Sequence, residues 1–186
     1  MPYIAVDVSY QEEGGTAVAL VFDKLEDDDF MFTMSIGIVG GHPYVPGNFY
    51  KRELPHIRTV VNLVVSMSGT ELLEEPLANL RLEPEEIDAI FIDGYVDLDD
   101  DPGLGRHVYG EFDGVIPIIG VAKTKFKGVR AAEVLRGKSK KPLFVTAAGM
   151  SREDAAAMVA DMHGPYRMPT LLKETDRLTR IRPANT

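Results

Sequence analysis

Three strand-patterned segments joined by short turns open the chain, and they restrict its fold more than anything that follows. In "YIAVDVSY" (3–10), Ile4, Val6 and Val8 alternate with Ala5, Asp7 and Ser9. That is the two-residue period of a strand with one buried face. "QEEGG" is turn-forming, and "TAVALVFD" (16–23) reads as a second strand. After the acidic turn "KLEDDD", "FMFTMSIGIV" (30–39) reads as a third. Strands this close in sequence pair as an antiparallel meander.

The pattern then changes period. "GGHPYVPGN" (40–48) is rich in breakers and reads as a loop. A helix is expected from about Pro55, where proline suits the first turn. Ile57, Val60, Val61, Val64 and Val65 form its apolar stripe. Residues 69–86 predict a short helix and a connection. "AIFID" (89–93) is a buried strand, "LGRHVYGEF" (104–112) is helical, and "PIIGVAK" and "PLFVTA" are two more buried strands. Ser151 and Asp154 resemble a capping box opening a helix that runs to about Met162. The tail is polar and irregular, with a last short helix. This order predicts one α/β domain over residues 1–186: a mixed sheet, antiparallel at its start and then parallel, flanked by helices. Sites in such sheets lie beyond the carboxyl ends of the parallel strands, where Asp93 and Lys123 fall.

Charge is divided unevenly. Residues 1–120 hold 6 Lys/Arg against 23 Asp/Glu, a net −17, while residues 121–186 hold 14 against 6, a net +8. The stretch 123–141 alone carries eight Lys/Arg and one Glu. A local basic patch on an acidic chain suits either a local grip on phosphates or an ordinary solvated loop. No apolar run is long enough to cross a bilayer, and the N-terminus lacks the pattern of a signal peptide. A monomer in the cytoplasm, with no membrane partner, is expected. The absence of cysteine excludes disulfides, zinc–cysteine sites and thiol catalysis. No nucleophile-elbow or Walker motif is present, and the four histidines show no zinc pairing.

Among the polar residues, Asp7 stands out because it lies between Val6 and Val8 in the middle of a strand. A carboxylate there needs a partner or a metal unless it faces water, and both readings stay open on spacing alone. If the first and fourth strands are neighbours, Asp7 and Asp93 converge, and oxygen ligands of that kind suit Mg²⁺ or Mn²⁺. Glu53 is a third acid or a helix-start carboxylate. Lys123 steadies a phosphate or merely ends a strand. Tyr44 tips a proline-stiffened turn that could wedge between bases. Asp97, Asp99, Asp100 and Asp101 lack calcium-loop spacing and read as a solvated loop.

The segments "VDVSY", "YVPGNFYKRELP", "IFIDG", "IPIIGVAK", "PLFVTA" and "YRMP" together resemble the endonuclease V family, metal-dependent nucleases acting at inosine in nucleic acid. The resemblance implies a ribonuclease H-like fold. It implies that Asp7 and Asp93, with Glu53 as the third acid, hold catalytic Mg²⁺ (or Mn²⁺), and that Lys123 supports the transition state. Tyr44, Val45, Pro46 and Gly47 would form a strand-separating wedge. Gly47 and Gly94 would let backbone approach a flipped base, and Lys125 and Lys127 would bind the nucleic acid. The implied activity is hydrolysis of a phosphodiester one linkage 3′ of the deaminated base, in DNA or RNA, leaving a 3′-hydroxyl. Two departures accompany it. The family's late histidine is missing near Ala148, where Glu153 is the candidate replacement metal ligand, and Asp101 stands where a histidine is expected. A non-cleaving nucleic-acid-binding homologue and a nuclease for another structured substrate are the alternative readings.

Overall fold

The computed structural model describes residues 1–12, 14–40, 49–67 and 82–181. Strands β1 (Tyr3–Gln11), β2 (Gly14–Phe22) and β3 (Phe32–Val39) form the expected antiparallel meander. Helix α1 (Phe49–Met67) follows, and after a 3₁₀ turn at Pro84–Glu86 comes β4 (Ala89–Asp93). A two-strand hairpin, β5 (Asp97–Leu98) and β6 (Asp101–Pro102), leads into α2 (Leu104–Glu111). The chain continues through β7 (Ile118–Ala122), β8 (Ala132–Val134), β9 (Leu143–Ala148), α3 (Arg152–Asp161) and α4 (Thr170–Thr179). The seven-stranded sheet has the order β3-β2-β1-β4-β7-β9-β8.

The period of two in β1 sorts the core into two layers. Ile4, Val6 and Val8 face a cluster completed by Ile57, Val60, Val61 and Val64 of α1 and Val108 of α2. Ala5 faces the other cluster, with Phe22, Phe91, Val121, Val159 of α3 and Leu171 of α4. The sheet is therefore covered on both faces, which explains why β4 and β7 are nearly continuous apolar runs.

The structure departs from the sequence reading in four places. Helix α1 begins at Phe49, so Pro55 lies inside it. Proline's missing N–H costs one helical hydrogen bond there, but Tyr50 and Leu54 pack against the core and carry the helix upstream of it. Secondly, among the described strands only β1, β4 and β7 are parallel. β9 runs antiparallel to β7, and β8, absent from the sequence reading, pairs antiparallel with β9. No helix lies between β7 and β9. Without a helical crossover the chain returns as a hairpin. Thirdly, the expected last helix takes ten residues of a tail read as largely irregular, and it buries Leu171, Thr175 and Thr179. Finally, Asp97 belongs to a hairpin strand, not a free loop, and Arg106 grips it through Nε at 2.9 Å and Nη2 at 2.6 Å.

The helix expected within residues 69–86 lies largely outside the described residues. Among the described residues, no helix is long and apolar enough to cross a membrane.

Candidate nuclease site

The parallel register of β1 and β4 places the first two carboxylates. Val6 pairs with Ile92, so Asp7 and Asp93, each one residue further on, leave adjacent strands on the same face. Asp93 in turn pairs with Val121 of β7. Lys123, two residues past Val121, emerges on that face too, and its Nζ lies 3.4 Å from Asp93 Oδ2. Asp7, Asp93 and Lys123 line one small cavity of about 60 Å³, enough for an ion or a few waters.

Glu53 comes from the layer across the sheet. It continues the buried stripe of α1, four residues ahead of Ile57, and only 8% of it is exposed. A carboxylate in line with Ile57 and Val61 is not a solvated helix-start residue. Its proton affinity shows the cost: burial, then the charges of Asp7 and Asp93, push its pKa up to about 8. Burial and the charge of Asp93 raise Asp7 to about 7, although the Val8 N–H donates to Asp7 Oδ1 at 2.8 Å. The three acids are thus close enough to repel one another. Among the described residues, however, no three carboxylates or histidines stand close enough together to enclose an ion as placed.

The sequence reading missed two contributors. Asp176 of α4 lines the same cavity and adds to the repulsion on Asp7, with Arg180 Nη2 2.7 Å from its Oδ1. The helical spacing of Leu171, Thr175 and Thr179 was the available signal that this segment packs on the sheet, and it was weak because two of the three are threonine. The second is Tyr95, whose hydroxyl donates to the Thr124 carbonyl at 2.6 Å and accepts from the Phe126 N–H at 3.1 Å. It fixes the start of the basic loop beside Asp93.

Other expected residues are placed as follows. Gly94 has φ +135° and open space where a Cβ would stand. Lys125 and Lys127 are exposed on the basic loop, Lys125 pairing with Glu133 at 2.8 Å. Glu153 lines a different cavity from Asp7 and Asp93, one of about 610 Å³ that it shares with Asp97, Asp99, Asp100 and Arg130. The Ser151 cap forms, its Oγ accepting from the Asp154 N–H at 3.0 Å. The expected wedge, Tyr44 to Gly47, lies outside the described residues.

Backbone packing beneath the site is tight. A Cβ on Gly120 of β7 would meet the Gly94 carbonyl oxygen and Thr146 Oγ1, each at 2.7 Å. Gly120→Ala therefore destabilises the fold by about 1–3 kcal/mol, to be read as a lowered midpoint in urea denaturation.

No protein-family model matches the chain, and no curated protein matches it in sequence. Solved structures do match. Human endonuclease V superposes with a TM-score of 0.69 at 21% identity, covering 96% of this chain and 82% of its own. Ciona intestinalis endonuclease V, bound to a 24mer DNA containing an inosine followed by a ribo-adenosine, gives 0.74 at 19% identity, covering 96% and 84%. The endonuclease V of Streptomyces avermitilis gives 0.69 at 23%, covering 97% and 80%. The sheet order, the two helical layers and these superpositions agree that the chain has the ribonuclease H-like fold of the endonuclease V structures.

Proposed function

We propose that this chain is a divergent endonuclease V, a cation-dependent nuclease that hydrolyses a phosphodiester near inosine in DNA or RNA. One observation carries the reading: Asp7 and Asp93 leave neighbouring parallel strands on one face, with Lys123 beside them and Glu53 within charge range. The inosine-containing DNA held by the Ciona enzyme supports the substrate class.

The donor set fits a hard divalent cation. It is all oxygen, partly desolvated and self-repelling, and Mg²⁺ or Mn²⁺ removes that repulsion at an oxygen site. Asp7, Asp93 and Glu53 would hold the ion, and Asp176 lines the same cavity. When bound, such an ion supplies activation of the attacking water and compensation of charge on the leaving oxygen.

The chain's own residues do the rest. The Lys123 ammonium offers a donor to a phosphate oxygen as it gains charge, which lowers the barrier where water is excluded. Gly94 leaves room for nucleic-acid backbone or base against the strand end. The cations of the loop after β7 attract phosphate to an otherwise acidic chain. Tyr44 to Gly47 take the strand-separating role. A flipped base costs less when its pairing is weak, which favours deaminated bases over normal ones.

End-labelled DNA and RNA oligonucleotides, with and without one inosine, test the reading in Mg²⁺, Mn²⁺ or EDTA. The expected product appears only with inosine and a cation, and carries a 3′-hydroxyl. Salt-sensitive binding without any product would favour the non-cleaving reading instead.

A further inference from the structure

We propose that Phe126 is a base-stacking platform for single-stranded nucleic acid, presented by a rigid basic loop beside the nuclease site; this rests on the nucleic-acid reading above. Phe126 is half exposed, at 51%, in a protein whose other phenylalanines within the described strands are mostly in the core. The segment around it, "KTKFKGVR" (123–130), carries Lys123, Lys125, Lys127 and Arg130 and no acid, in a chain of net charge −9. An aromatic face among cations is the combination that binds single strands without sequence preference, since phosphates meet the cations and bases meet the ring.

The loop is held in place at several points. Tyr95 pins Thr124 and the Phe126 N–H, and its ring meets the Phe126 ring edge-on at 6.3 Å. Arg152 Nη1 donates to the Arg130 carbonyl at 2.7 Å, tying the far end to α3. Arg167 donates to the Lys123 and Pro142 carbonyls. Gly128 at φ +92° turns the chain against Asp99, whose Oδ2 would lie 3.1 Å from a Cβ there. A ring braced at its edge by Tyr95, yet half exposed, loses little freedom when a base stacks on it. Because Tyr95 directly follows the Asp93–Gly94 pair, the same contacts set the platform's distance from the carboxylates.

The absence of tryptophan from the chain supplies the probe. Phe126→Trp introduces a single tryptophan, which is titrated with an inosine-free oligothymidylate in EDTA, so that neither cleavage nor lesion recognition enters. Stacking predicts strong quenching that saturates, with affinity at least equal to that of the parent measured by anisotropy of a labelled strand. Phe126→Ala weakens that binding by about 5- to 100-fold, whereas Phe126→Tyr keeps it. Equal affinities for parent and Phe126→Ala, or a tryptophan signal unmoved while the strand binds, would overturn the platform and leave the nuclease reading standing. A parent chain that binds no strand at low salt would overturn both the platform and the nucleic-acid reading.

Discussion

On the proposed function, Asp93→Asn is expected to abolish cleavage of an inosine-containing oligonucleotide, with a loss on the order of 10³-fold, the several kcal/mol that cation-assisted charge stabilisation is worth. Asp93 ends β4, and its side chain is half exposed, so the substitution leaves the core untouched. Its carboxylate faces Asp7 on one side and Lys123 on the other. Asparagine keeps the shape and loses both the charge and a strong oxygen ligand. Asp7→Asn is expected to cost as much. Initial rates at saturating Mg²⁺, together with a melting curve for each variant, check the result. A variant that melts like the parent and still cuts at more than a tenth of its rate would remove Asp93 from the chemistry.

Without a divalent cation, Glu53 and Asp7 withdraw stability from the fold as pH rises from about 4 to about 8. Glu53 and Asp7 bind protons more tightly in the folded chain, at about 8 and about 7, than in the unfolded one. In that window the unfolded state ionises first, and linkage then favours unfolding. Burial and mutual repulsion are the causes, and together they amount to on the order of 5–10 kcal/mol. Glu53→Gln removes one of the buried charges and relieves Asp7. In EDTA at pH 8 it raises the melting temperature by roughly 5–10 °C and flattens the pH profile. Mg²⁺ at pH 8 stabilises the parent more than it stabilises Glu53→Gln, because only the parent has the full set of charges to compensate. A parent and a Glu53→Gln variant whose melting temperatures keep the same difference from pH 4 to pH 8 in EDTA would contradict the convergence of the three acids.

The meander was legible from the sequence because alternation in β1 is strict and its turns are short. β4 and β7 were legible as apolar runs that two covered faces require. Asp7 was legible for the same reason that it is costly, as a charge interrupting an apolar strand. Less could be read where tertiary contacts overrule local preference. Proline predicted a helix start at residue 55, but packing of Tyr50 and Leu54 extends α1 to Phe49. The three residues of β8 carry no periodicity, and their strand state comes from pairing with β9. Asp176 was hidden in a polar tail whose buried positions include Thr175 and Thr179, two threonines that satisfy their own hydroxyls on the α4 carbonyls of Leu171 and Asp176. A core face made partly of threonine reads as a solvent face. Glu153 was placed by analogy with a lost histidine, and only the fold shows that it lines a different cavity from Asp7.

Diffraction at the manganese edge from crystals soaked in Mn²⁺ addresses the proposed ion most directly. An anomalous peak between Asp7 and Asp93, about 2.1 Å from a carboxylate oxygen of each, with Glu53 turned toward it, is the predicted result. No peak there, or a peak only beside Glu153, would contradict it.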